Sequence, residues 1–193
     1  MSGNDAYRHL AWTESSRERV CRTPVFDVYK VTRTSAEGKH AAFTLLECGS
    51  WVNVIPLVKN DAGEECFLMV RQYRQGSQAI TLEFPGGLVD SGESPREAAI
   101  RELREETGYE AGNVFAAGEI NPNPAFMANR CSTYIATNLQ KTSLQDLDEN
   151  ELVEFELVPV RELEKNMGLG EYDHAIMVVA YFWYEKWKKT QGI

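Results

Sequence analysis

Three glutamates, Glu102, Glu105 and Glu106, crowd into the stretch 102–106. On a helix, Glu106 falls about 40° around the axis from Glu102, and Glu105 about 60° to the other side. All three then share one sector, while Ala99, Ile100 and Leu103 can face a core. The one basic residue between them, Arg104, turns away from that sector. Carboxylates gathered like this repel one another unless cations neutralise them. Their oxygens are hard donors suited to Mg²⁺ or Mn²⁺ rather than zinc or copper. Ions held this way neutralise phosphate charge, activate water and steady a leaving oxygen. On spacing alone the competing interpretation is a solvated acidic helix face.

The helix that must carry them has strong start and stop signals. Ser94 is an N-cap, Pro95 suits the first turn, and Glu97 completes a capping box. Good helix formers follow from Arg96 to Glu106, and Gly108 ends the run. Ahead of it, Gly86-Gly87 permits close backbone approach to a ligand. Val52–Val58 and Cys66–Gln72 read as a strand pair across the turn 60–63, and Ile80–Phe84 as a short strand stopped by Pro85. Beyond the helix, Val114–Ile120, Ser132–Asn138 and Leu152–Val158 read as strands. Val160–Asn166 and His174–Lys188 read as helices. Residues 1–50 form an N-terminal extension, with strands at Val25–Val31 and Ala42–Cys48 about a turn at 36–38. Strands mixed with a few helices predict a sheet covered by helices, a mixed α/β (α+β) architecture.

Bulk properties narrow the function. The chain has 193 residues, 43% hydrophobic and 25% charged, which suits one domain with an appendage. A net charge of −9 argues against binding a nucleic-acid backbone. Cys21, Cys48, Cys66 and Cys131 form no CxxC pair and the three histidines are scattered, so neither structural zinc nor a disulfide framework is expected. A reducing cytoplasm is the expected compartment. The polar N-terminus is no signal peptide, and the longest apolar run, 175–184, is too short to span a bilayer, so no membrane association is expected.

The stretch 87–109, GLVDSGESPREAAIRELREETGY, resembles the Nudix box. That motif is Gly, five residues, Glu, seven residues, Arg-Glu, a bulky aliphatic, any residue, Glu-Glu, any residue, Gly and a bulky residue. Gly87, Glu93, Arg101, Glu102, Leu103, Glu105, Glu106 and Gly108 occupy its places, and Tyr109 stands as an aromatic at the last position. The resemblance implies a Nudix-type α/β/α sandwich with a mixed sheet over residues 51–193, and N-terminal strands in residues 1–50 that build a homodimer. It implies two to three Mg²⁺ or Mn²⁺ ions. Glu102 and Glu106 would be the main ligands, Glu105 would assist, and the Gly86 carbonyl would complete a site. Glu93 and Arg101 would form a structural salt bridge.

The flanks resemble the ADP-ribose pyrophosphatase group, through Gln72-Tyr73-Arg74, Leu82–Gly87, and Pro124 fifteen residues after Tyr109. Arg74 then becomes the candidate grip on a diphosphate. Glu83 is a candidate for the ribose or adenine side, Trp51 for stacking on the base, and Pro124 and Met127 for further substrate contacts. The acidic loop 146–151 aligns with a Glu-x-Glu that supplies the base. Glu149 is accordingly expected as general base and Glu151 as a further metal ligand. The reaction implied is hydrolysis of a nucleoside diphosphate linked to a sugar, foremost ADP-ribose to AMP and ribose 5-phosphate. GDP-mannose, NADH, diadenosine polyphosphates or oxidised nucleoside triphosphates are alternative substrates. A non-catalytic nucleotide-sugar sensor is the alternative from another class.

Overall fold

In the computed structural model, residues 5–149 and 151–192 are described. Met1–Asn4, Asn150 and Ile193 lie outside them, so the start of the expected extension and one position of the acidic loop are not described. Chain contacts define two units.

The first unit runs to Gly49 and takes in Asn121–Asn129. After a 3-10 turn at Asp5–Leu10, strands β1 (Trp12–Arg22), β2 (Asp27–Ser35) and β3 (His40–Glu47) form an antiparallel sheet in chain order. Strands β2 and β3 fall where alternation predicts them. Strand β1 was not expected, because none of its residues is buried and its sequence, WTESSRERVCR, carries no apolar face. Its order comes from ladder bonds to β2, with irregularities at Glu14/Ser16 and Arg19/Cys21. The segment 121–129 joins this unit through Leu46, which donates to the Phe126 carbonyl at 2.7 Å and accepts from Ala128 N–H at 3.2 Å.

The second unit comprises Ser50–Ile120 and Arg130–Ile193. Its strands are β4 (Trp51–Lys59), β5 (Glu65–Arg74), β6 (Ala79–Glu83), β7 (Tyr109–Ile120), β8 (Cys131–Lys141) and β9 (Val153–Pro159). The order is β6-β5-β4-β8-β7. Strand β9 lines one edge of β5, while β4 and β6 share the other edge at its two ends. The β4–β8 pair is parallel and the rest are antiparallel, so the sheet is mixed. Buried runs such as Val52–Pro56 and Cys66–Val70 show that these strands are covered on both faces.

Helix α1 (Pro95–Thr107) covers one face through Ala98, Ala99 and Leu103, packed on Val52, Val54, Leu68 and Ala136. Helices α2 (Val160–Asn166) and α3 (Ala175–Gln191) cover the other through Leu163, Met177, Ala180 and Tyr184, packed on Ile55, Phe67, Met69 and Ile135. The expected helix–sheet–helix layering is therefore present. No helix among the described residues is long and apolar enough to cross a membrane.

Candidate active site

The site grows from the loop between β6 and α1. After Phe84 the chain lies along the start of β4. Val54 N–H donates to the Pro85 carbonyl at 2.8 Å, and Val52 N–H to that of Gly87 at 2.9 Å. Here glycine is required by space: a Cβ on Gly86 would collide with backbone atoms of Val52 and Asn53. Helix α1 then starts as its sequence predicts. Ser94 Oγ accepts from Glu97 N–H at 3.3 Å, and Glu97 Oε2 accepts from Ser94 N–H at 2.8 Å. Gly108, at φ 74°, closes the helix in the left-handed region.

Glu93 and Arg101 pair through two prongs, Nε to Oε1 at 3.0 Å and Nη2 to Oε2 at 3.1 Å. Arg101 reaches further than its sequence position suggests. Its Nη1 donates to Glu102 Oε1 at 2.9 Å and Glu105 Oε2 at 3.0 Å, and its Nη2 to the Leu88 carbonyl at 2.9 Å. The glutamate sector thus has a cation beside it after all. Arg104 lies 3.9 Å from Glu105.

Glu106 is different: only 4% exposed, it accepts Gly86 N–H at 3.0 Å, and among the described residues it has no ion-pair partner. Burial, reinforced by the charges of Glu102 and Glu151, pushes its carboxyl up to about 8. Burial likewise pushes Glu102 up, against the pull of Arg101. Glu151, exposed on the acidic loop, lies near enough to act on both. As they stand, no three His, Cys, Asp or Glu side chains among the described residues converge tightly enough to hold an ion. The donors nonetheless fit a hard divalent cation. They are all oxygens, and the most deeply buried of these donors, Glu106, has no ion-pair partner among the described residues.

The acidic loop is fastened at its root. Gln145 Nε2 donates to the carbonyls of Glu106 (2.6 Å) and Val153 (3.1 Å), and Asp146 N–H donates to that of Glu105 at 2.9 Å. Glu149 is exposed on this loop, and Asp148 N–H donates to Glu151 Oε2 at 3.2 Å.

Arg74, at the end of β5, grips Glu83 at the end of β6. The contacts are Nε to Oε1 at 2.8 Å and Nη2 to Oε2 at 2.7 Å. Glu83 is 1% exposed and also accepts from Thr81 Oγ1 at 2.6 Å and from His174. Burial alone would push its carboxyl up, but Arg74, His174 and Thr81 outweigh it and hold the group well below the usual carboxylate range. Trp51 is half-buried at the start of β4 and bridges Leu88. Pro124 and Met127 belong to the first unit, where Met127 pairs with Leu46. Residues unmarked by sequence reasoning are His174, Thr81 and Gln145. A histidine just before an apolar helix was the only available signal for the first, and the other two gave none.

A helix-borne glutamate cluster under a Gly-Gly loop, on a mixed sheet between helices, defines a class. Residues 50–178 match the NUDIX domain, and the chain belongs to the Nudix family. It is 27% identical over 177 residues to the ADP compounds hydrolase NudE of Escherichia coli K12, covering 91% of this chain and 92% of that one. It is 37% identical over 86 residues to the ADP-sugar pyrophosphatase of Mus musculus; this covers 45% of the chain but only 38% of the mouse protein. A crystal structure of an ADP compounds hydrolase superposes with a TM-score of 0.82 at 27% identity, covering 95% of this chain and 97% of the other.

Proposed function

We infer that this protein is a Nudix pyrophosphohydrolase that cleaves the diphosphate of an ADP-sugar, foremost ADP-ribose. The observation that carries the reading is the buried pair Glu102 and Glu106, beneath Gly86-Gly87 and with the charge of Glu151 bearing on both. The relatives named for ADP compounds and ADP-sugars support the substrate class.

Glu102, Glu106 and Glu151, with the Gly86 carbonyl and help from Glu105, would hold Mg²⁺ or Mn²⁺. A bound divalent ion supplies charge neutralisation at the diphosphate and a more acidic water. Arg74 uses Nε and one Nη2 proton on Glu83, and its other N–H groups bind diphosphate oxygens. Glu149 takes a proton from the attacking water. The water oxygen bonds to one phosphorus, the bridging P–O bond breaks, and AMP and ribose 5-phosphate leave. Trp51 is assigned to stacking on the base. The exposed edge strand β1 supports a homodimer through the first unit, in a cytoplasmic protein.

Product analysis with Mg²⁺ tests this, using ADP-ribose, GDP-mannose, UDP-glucose, NADH and 8-oxo-dGTP. AMP released fastest from ADP-ribose is expected. Faster cleavage of GDP-mannose would overturn the substrate, and binding without turnover would favour a sensor.

A further inference from the structure

Helix α3 sends into this site a side chain that the scheme above leaves unused. His174 stands at its N-cap, yet its side chain makes no capping bond to the helix. Instead Nδ1 lies 2.9 Å from Glu83 Oε2. In the next turn Met177 Sδ lies 2.8 Å from Phe84 N, so the start of α3 engages two successive residues at the end of β6.

The contacts of Glu83 divide evenly. Oε1 accepts from Arg74 Nε and Thr81 Oγ1, and Oε2 accepts from Arg74 Nη2 and His174 Nδ1. An ionised carboxylate only accepts, so each of these neighbours must donate, and the imidazole presents Nδ1–H. With both oxygens engaged and the side chain buried, Glu83 faces its own protein rather than a ligand. It orients the guanidinium fork. Without His174, Oε2 would keep Arg74 alone, and the carboxylate could rotate and take the fork with it.

The geometry points to His174 as a positioning residue: through Glu83 it fixes the direction in which Arg74 presents its remaining N–H donors to the substrate diphosphate. This role rests on the reading of Arg74 as the diphosphate grip. An aligned charged fork matters most where substrate binds, so the cost falls on KM.

Steady-state kinetics with ADP-ribose and Mg²⁺ test it. His174→Ala should raise KM about three- to tenfold with kcat within about twofold of wild type. His174→Asn, whose amide can take the place of Nδ1–H, should restore KM. In an Arg74→Ala background His174→Ala should add nothing, because the residue it acts through is gone. If Arg74→Ala unfolds with Glu83 left unpaired, Arg74→Lys takes its place, since one ammonium cannot form the fork. If His174→Ala fails to fold, His174→Gln, whose amide reaches too far, is the disrupted variant. Additive effects of His174 and Arg74, or an Asn variant as impaired as Ala, overturn the proposal. Wild-type KM in the Arg74 variant removes Arg74 from the diphosphate, and this role with it. That outcome is told apart because it leaves Glu102 and Glu106 untouched.

Discussion

Gly87 sits so close to Glu102 that a Cβ on it would run into the Glu102 carboxylate. The obstacle is the tip of a side chain, so Gly87→Ala displaces the carboxylate and spares the backbone. We expect kcat/KM to fall about 10- to 100-fold while Tm changes by less than about 3 °C. Gly86→Ala meets the backbone of Val52 and Asn53 instead. Its loss should appear in Tm as well, and thermal melts beside kinetics separate the two.

Metal binding should be readable as stability. An ion that binds only the folded chain raises Tm by mass action, by about 2–5 °C at concentrations well above its Kd. Millimolar Mg²⁺ or Mn²⁺ should raise Tm of the wild type, and EDTA should reverse it. Glu106→Gln removes the buried carboxyl whose ionised form a bound cation would favour, and should abolish this response together with most turnover. An undiminished Mg²⁺ response in that variant would take Glu106 out of the ligand set.

The acid limb of stability should depend on Glu83. Its folded carboxyl is held below the unfolded value by Arg74, His174 and Thr81 against the cost of burial. The stabilisation is therefore complete above the unfolded carboxylate value, about 4.3, and drains away as pH falls below it. Glu83→Gln cannot carry that charge. Its Tm should be lower than wild type at pH 7 and fall less steeply below about pH 4.5. Parallel acid limbs in the two proteins would contradict this.

The two roles proposed for the acidic loop should separate kinetically. Glu149→Gln should lower kcat about 100-fold or more at an unchanged Mg²⁺ requirement, as removal of a general base does. Glu151→Gln should raise the Mg²⁺ concentration needed for half-maximal rate, because its charge bears on Glu102 and Glu106. A Mg²⁺ titration of each variant distinguishes them, and exchanged behaviour would exchange the assignments.

Local signals made α1 legible in the sequence: the cap at Ser94, the box closed by Glu97 and the stop at Gly108 all recur in the structure. The glutamate sector followed from helical geometry. What stayed hidden depends on partners far along the chain. Strand β1 has no buried residue, so no periodicity announces it, and only the register with β2 orders it. Strand β7 begins at Tyr109 rather than near Val114, because its first residues pair with exposed positions of β8. Arg101 touches Glu93, Glu102 and Glu105 together because a long side chain can serve both a loop and its own helix. His174 lies 91 positions from Glu83, a distance over which pattern reading has no purchase.

The parallel pairing of β4 with β8 joins residue 51 to residue 131. No hairpin can nucleate such a ladder, so it must wait for a long stretch of chain to be in place. During synthesis the glutamate helix can form early, but its supporting sheet cannot close until β8 has emerged. The Arg74 fork comes into alignment later still, once the start of α3 arrives. A nascent chain should therefore gain its helix-borne glutamates before it gains a well-ordered Arg74 fork.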